Sequence, residues 1–137
     1  NTPFEYDSNK MLNGCSKKRP DVIFDLPGHC VIVEIDENQH SSYSDSCECA
    51  RINEIVNGIG GKPVTIIRYN PDVVRTAIGV KHVTQLDRVN LLVETIREEL
   101  VKVHDTFAVE IIQIYYSDVN SEYCPLKRED ITSIVCV

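Results

Sequence analysis

The side chains best suited to chemistry in this 137-residue chain are three carboxylates, Asp21, Glu34 and Asp36, in the stretch from Lys18 to Arg51. Val31 to Ile35 reads as a buried β-strand, with Glu34 inside its apolar run and Asp36 directly after it. Residues two apart on a strand face the same way, roughly 6–7 Å apart at their Cα atoms, so Glu34 and Asp36 project together. Pro20 biases Arg19 to an extended conformation and leads into a second strand, Val22 to Asp25. Leu26-Pro27-Gly28-His29 reads as a turn, which makes the two strands an antiparallel hairpin and brings Asp21 towards the level of Glu34 and Asp36. Carboxylates buried in such a setting are costly unless they are paired, protonated or bound to a cation, and a divalent metal is the simplest remedy.

A plain ion pair is the competing account of Glu34. Arg68, late in the predicted strand Val64 to Tyr69, is the partner the sequence offers. The two accounts give opposite consequences for the metal-free protein. Neutralising one of several mutually repelling metal ligands, by Asp21→Asn or Glu34→Gln, leaves the fold as stable or more stable by about 1 kcal/mol. Removing the partner of a buried arginine costs about 3–5 kcal/mol.

The elements that must position these residues follow from periodicity. After the hairpin comes a polar loop from Glu37, then a helix over Cys47 to Asn57, capped by Ser46, with Ile52, Ile55, Val56 and Ile59 at helical spacing and Glu48, Arg51 and Glu54 on its other faces. Gly58, Gly60 and Gly61 follow this helix and precede a strand, an order that suits helix termination rather than a phosphate cradle. Asn70-Pro71-Asp72 stops Val64 to Tyr69, and Val73 to Thr84 has no firm reading. Leu86, Val89, Leu92, Val93, Ile96, Leu100 and Val103 form the core-facing stripe of a helix over Leu86 to His104. A strand, Val109 to Tyr116, and a short closing element in Lys127 to Val137 complete one α/β domain around a mixed sheet, while residues 1–17 read as irregular.

Composition narrows the partners. A hydrophobic fraction of 42% and a charged fraction of 26% suit an ordinary globular domain, and the net charge of −7 argues against a chain that grips nucleic acid over its whole surface. Lys17, Lys18 and Arg19 still form a local basic patch before Asp21, or else a solvated turn. The six cysteines lack an apolar leader and a loop-rich frame, which points to reduced thiols and an intracellular setting. Cys47 and Cys49 are two apart on a helix and face different ways, a poor zinc claw, although a zinc-stabilised interaction domain is the reading the cysteines would carry. His29, His82 and His104 read as ordinary solvent-side histidines, and Arg51 as a helix-surface or ion-pair residue. No run approaches the ~18 apolar residues of a membrane span. Asn1 is not Met, which suggests a piece of a longer protein.

Taken in order, Arg19-Pro20-Asp21, an apolar strand ending Glu34-Ile35-Asp36, and His40 resemble the very-short-patch-repair-like branch of the PD-(D/E)XK nuclease superfamily. Asp36 to His40 and Ile67 to Asp72 are also similar to an Asp-Glu-Asn-Gln-His run and a later Ile-Arg-Tyr/Phe-Asn-Pro-Asp in nuclease-like proteins of large DNA viruses. The likeness covers Arg19 to Asp72. It implies a single nuclease-like domain over residues 1–137, with a restriction-endonuclease-like mixed β-sheet flanked by helices. The activity it implies is metal-dependent DNA endonuclease or nickase chemistry; the alternative is a catalytically inactive nuclease-like module that binds DNA or protein. Asp21, Glu34 and the Ile35 carbonyl would hold Mg²⁺ or Mn²⁺, hard ions that favour oxygen ligands, with Asp36 as a third ligand or orienting a metal-bound water. Lys17, Lys18, Arg19 and Arg68 would contact the DNA.

One departure matters. The superfamily's lysine, two residues after the acid, is replaced by Asp36, and the resemblance offers Gln39 or His40 in its stead. Histidine can serve as acid or base because its unperturbed pKa lies near neutrality. Gln39→Ala and His40→Ala are therefore expected to slow DNA cleavage while leaving Mn²⁺ affinity largely intact. Cleavage assays beside calorimetric metal titrations check this, and normal rates in both variants would remove both residues from the role.

Overall fold

The computed structural model of the chain describes residues 4–6, 20–37 and 45–135, with residues 4–6 and 45–47 as backbone only. A six-stranded mixed sheet carries the fold, in the spatial order β1-β2-β3-β4-β7-β8. Its strands are β1 (Phe4–Tyr6), β2 (Val22–Asp25), β3 (Cys30–Ile35), β4 (Val64–Tyr69), β7 (Val109–Ile114) and β8 (Leu126–Asp130). Between β4 and β7 lies a separate hairpin of β5 (Val74–Thr76) and β6 (Gly79–Lys81). The helices are α1 (Asp45–Gly58) and α2 (Gln85–Val101). β3, β4 and β7 run parallel at the centre, while β1, β2 and β8 join antiparallel at the flanks.

The central strands are near-continuous runs of β-branched residues, as strands covered on both faces must be. Alternation divides them. Cys30, Ile32, Val64, Ile66, Val109 and Ile111 pack with Ile52 and Val56 of α1, and Val31, Val33, Ile67, Tyr69, Ile112 and Ile114 pack with Leu91, Leu92, Ile96 and Leu100 of α2. The helices therefore cover opposite faces. Ile32, Ile66 and Ile112 are wholly buried, and each contributes about 2–3 kcal/mol of apolar burial.

Local signals set the helix ends. α1 stops where Gly60 and Gly61 take φ values of 82° and 73°, and the Gly61 N–H donates to the Val56 carbonyl at 3.1 Å. Those left-handed conformations favour glycine and terminate the helix, as its place before a strand implied. α2 begins at Thr84, whose hydroxyl accepts from the Asp87 N–H at 3.1 Å.

Three expectations need correction, and one stretch without a reading gains one. Residues 1–17 are not wholly irregular, because Phe4–Tyr6 pairs antiparallel with β2. Val73 to Thr84 holds the β5–β6 hairpin and the α2 cap. In α2, Leu86, Val89, Val93 and Val103 do not belong to the core: the first three face outward from the helix, Val103 lies beyond its end, and all four are exposed. Arg88, Thr95 and Glu99 are buried instead, since Glu99 accepts from Thr65 Oγ1 at 3.5 Å and from Arg128 Nη2 at 3.3 Å. The α2 stripe thus mixes apolar and hydrogen-bonded polar residues, which apolar periodicity cannot anticipate. Among the described residues no helix is long and apolar enough to cross a membrane.

The third correction concerns histidine. His82 is exposed, but His29 is buried and stacks on His104, their ring centroids 4.7 Å apart. His29 Nε2 lies 3.3 Å from the Leu100 carbonyl near the end of α2. Burial, His29 and Lys102 hold the His104 pKa below its usual value of 6.5, against the opposing pull of Glu99 and Glu110. A histidine with a depressed folded-state pKa contributes stability above its unfolded value that is lost as pH falls through the folded one. Urea unfolding is accordingly expected to show stability falling as pH drops below about 6.5, with a shallower fall in His104→Gln. An identical slope in that variant would assign the loss to another group.

Candidate functional site

The acids of interest lie where β3 and β4 end. Val22 pairs with Val33, so the next rung sets Asp21 opposite Glu34. The backbone confirms this register: the Asp21 N–H donates to the Val33 carbonyl at 3.2 Å, and Asp21 Oδ2 accepts from the Ile35 N–H at 2.6 Å. Asp36 still continues the parallel pairing, its N–H donating to the Tyr69 carbonyl at 2.7 Å. Alternation then puts Asp36 on the same face as Glu34, the face that α1 covers. Glu34 and Asp36 are both fully buried, and Asp21 is half-buried.

Two arginines meet them there. Glu34 and Arg68 are partners in the β3–β4 register, and Arg68 Nε donates to Glu34 Oε1 at 3.0 Å. From α1, Arg51 forms an ion pair with Glu34 Oε2, and its Nη1 lies 3.5 Å from Oε1. Glu48, one turn earlier on α1, pairs with Arg68 and lies 3.9 Å from Arg51. Burial pushes the Arg51 pKa down to about 10, while Asp21 nearby pulls it up, so the guanidinium stays charged at neutral pH.

Arg51 is thus the ion-pair residue that was one of its two sequence readings, while Glu48, expected on another helix face, turns towards the cluster and is partly buried. Glu48, Ile52 and Val56 are spaced by four, and so are Arg51, Ile55 and Ile59, so the apolar stripe extended by one turn towards the helix start includes both charges. Charged side chains are seldom buried unless paired, and both are paired here. Arg68 likewise points into an ion-pair cluster rather than towards solvent.

Asp21, Glu34, Asp36 and Glu48 bring four carboxyl groups to this end of the sheet, and Arg51 and Arg68 bring two guanidiniums. Carboxylate and carbonyl oxygens are the donors a hard divalent cation takes. The carboxylates are not already drawn into a cage, for no group of three or more His, Cys, Asp or Glu among the described residues is set to hold a metal. Two guanidiniums stand where a cation beside Glu34 would sit. Gln39, His40, Lys17, Lys18 and Arg19 lie outside the described residues. Cys30, Cys49 and Cys124 are free thiols, and burial together with Asp25 pushes that of Cys30 up to about 12, which keeps it protonated.

A second network fixes the ends of β4 and β7. Asn70 Nδ2 donates to the Tyr115 carbonyl at 2.8 Å, and Asn70 Oδ1 accepts from the Asp72 N–H at 3.0 Å. Arg88 of α2 donates to the carbonyls of Asn70 and Asp72, both at 3.0 Å, with its guanidinium 5.4 Å from the Tyr115 ring. Tyr115 holds a φ of 58°, a conformation a bulky residue adopts only when its surroundings impose it. The Asn-Pro-Asp turn thus holds the strand ends that carry Arg68.

No protein-family model matches the chain, no curated protein is significantly similar to it, and no solved structure matches it.

The paired guanidiniums decide between the two accounts of Glu34 in the metal-free protein. Glu34→Gln removes the shared partner of Arg51 and Arg68 and is expected to cost about 3–5 kcal/mol in EDTA. Asp21→Asn keeps an oxygen that can accept from Ile35 N–H and is expected to cost about 1 kcal/mol or less. Chemical denaturation in EDTA checks both; equal stabilities of parent and Glu34→Gln would mean that the ion pairs contribute nothing.

Proposed function

We propose that the protein is a metal-dependent DNA endonuclease or nickase with a restriction-endonuclease-like fold. The observation that carries this reading is the convergence of Asp21, Glu34 and Asp36 on one face at the carboxyl ends of parallel strands. The carboxyl ends of parallel strands are where open α/β sheets commonly bind ligands. The strand order, a β-hairpin followed by strand–helix–strand with both faces covered, is compatible with the nuclease architecture the resemblance implies.

In this reading Asp21, Glu34, Asp36 and the Ile35 carbonyl would hold Mg²⁺ or Mn²⁺. When bound, the ion lowers the pKa of a coordinated water and offsets negative charge developing on the phosphorus oxygens. The protein's own contribution is placement and charge. The Ile35 N–H fixes the Asp21 carboxylate beside Glu34, and the rigid β3–β4 ladder fixes Glu34 beside Arg68. Arg51 and Arg68 hold the Glu34 carboxylate in place from α1 and β4. Gln39 and His40 follow Asp36 within four residues and would orient the attacking water in place of the missing lysine. DNA is the proposed partner, with Lys17, Lys18 and Arg19 as its backbone contacts.

A second reading has a specific observation in its favour. Both Glu34 oxygens already meet guanidiniums and Asp36 stands where the superfamily has lysine, which suits a module that kept the fold and lost the chemistry. Nicking of supercoiled plasmid with Mg²⁺ or Mn²⁺ separates the two. The parent is expected to nick, Asp21→Asn to fall to background, and EDTA to abolish activity. Metal at a hundredfold excess over its Kd is expected to stabilise the parent by about 2.7 kcal/mol and Asp21→Asn far less. A parent that binds DNA without nicking it under any divalent cation would establish the inactive module instead.

A further inference from the structure

We propose that the outer side of α2 and the tyrosine-walled cleft beside it form a docking site for an extended peptide segment of a partner protein that carries two arginines. The proposal goes beyond the nuclease reading and does not rest on it, because α2 covers the face of the sheet opposite the Glu34 cluster.

The cleft lies between the end of β6, the first half of α2 and the chain after β7, and measures about 530 Å³. Tyr115 and Tyr123 form its aromatic wall, with Leu91 and Pro125 beside them, and the exposed Asp87 and Glu94 bring carboxylates to it. The two rings already serve as platforms for cations. The Arg88 guanidinium lies 5.4 Å from the Tyr115 centroid, and the Lys81 ammonium 4.9 Å from that of Tyr123. Arg88 is buried and donates to the carbonyls of Asn70 and Asp72, so it belongs to the fold. Lys81 is exposed and stands on the ring at the end of a flexible stem, where an incoming cation displaces it. A planar guanidinium suits the place better than an ammonium, since it stacks on tyrosine and forks onto a carboxylate at the same time.

Asp87 and Glu94 set the length of the ligand. Seven residues apart on α2, they are separated by about 10 Å along the helix axis. One guanidinium cannot touch both. In an extended polyproline-II segment, side chains three apart face the same way at a separation of about 9 Å, so two arginines at that spacing meet both carboxylates. The Tyr115 hydroxyl lies 3.4 Å from the Asp87 carbonyl, which puts the aromatic wall at the Asp87 end. One arginine therefore sits on Tyr123 beside Asp87, and the other reaches Glu94.

The apolar side of α2 argues for a peptide rather than a small amine. Asn90 lines the cleft and is four residues from Leu86 and three from Val93, so the exposed stripe of Leu86, Val89 and Val93 runs along its border. A peptide with apolar residues between and beside its arginines covers that stripe. A free amine leaves it bare.

Nuclear magnetic resonance titration of the full, isotope-labelled chain with the capped pentapeptide Arg-Leu-Ala-Arg-Leu tests the proposal. Amide shifts are expected to gather at Asp87, Asn90, Glu94 and Tyr123. Tyr123→Leu and Glu94→Gln are each expected to weaken binding about fivefold, the loss of one exposed cation–π or charge contact, and Lys81→Met to tighten it by about the same factor. Glu54→Gln on α1 and Lys62→Met beside Asp25 make the same changes in net charge away from the cleft and are expected to leave the affinity unchanged. Absence of binding, or shifts centred elsewhere, overturns the proposal. So do equal effects of the Glu94 and Glu54 variants, which would reduce the attraction to net charge. Capped arginine alone binding as tightly as the pentapeptide overturns the assignment to a peptide. Should circular dichroism show that Tyr123→Leu does not fold, the Glu94 and Lys81 variants, both at exposed positions, decide the matter by the same criteria.

Discussion

The burial of one carboxylate, Glu34, between Arg68 of β4 and Arg51 of α1 is the constraint on which this end of the molecule depends. An ionised group cannot stay under a helix without its counter-charge, so the contact fixes the β3–β4 register and the depth and rotation of α1 together. Ile52 and Val56 then fill the apolar part of the same helix face, over Cys30, Ile32, Val64 and Ile66. Apolar burial supplies the adhesion along most of α1, and the ionic cluster specifies how its first turns sit. Such clusters add less net stability than the contacts suggest, because desolvation of four charged groups opposes the attraction between them. Their larger effect here is to define one arrangement.

The opposite end of the sheet is organised by a different ionic group on the other face. Glu99 of α2 meets Thr65 of β4 and Arg128 of β8, and Arg128 also pairs with Glu110 of β7 at 2.8 Å. With His29 stacked on His104 beside the end of α2, these contacts tie that helix to both halves of the sheet. The two helices are thus each held by an apolar middle and a polar end. The Glu99 contacts lie at the amino ends of the parallel strands, while the Glu34 cluster lies at their carboxyl ends, on the face opposite α2 and beside the Asn70–Arg88 network.

Between these, Asn70-Pro71-Asp72 acts as a structural corner. Asn70 takes the Tyr115 carbonyl, and Arg88 takes the carbonyls of Asn70 and Asp72, which joins β4, β7 and the start of α2. Asn70 directly follows β4, the strand that carries Arg68. The rigidity of the corner therefore reaches the ionic cluster through a continuous β-strand, and the left-handed Tyr115 is the local cost of that closure.

Most of the elements are legible in the chain. Val64 to Tyr69 forms a strand with those bounds and Val31 to Ile35 one that starts a residue earlier, at Cys30, because β-branched runs bounded by turn residues have few alternatives. The glycines after α1 ended it where expected, and the hairpin brought Asp21 beside Glu34 because its short turn fixes the register. The sequence could not show β1, since a three-residue edge strand carries no periodicity and owes its existence to the β2 edge beside it. Nor could it place Leu86, Val89 and Val93 outside and Arg88, Thr95 and Glu99 inside, because the side of α2 that meets the sheet was decided by Thr65, Arg128 and the carbonyls of the Asn-Pro-Asp turn. The same holds at the candidate site. Sequence named the acids and offered Arg51 as an ion-pair residue, but that Arg51 meets Glu34 and that Glu48 joins them depends on which helix face docks, a choice made by the whole sheet at once.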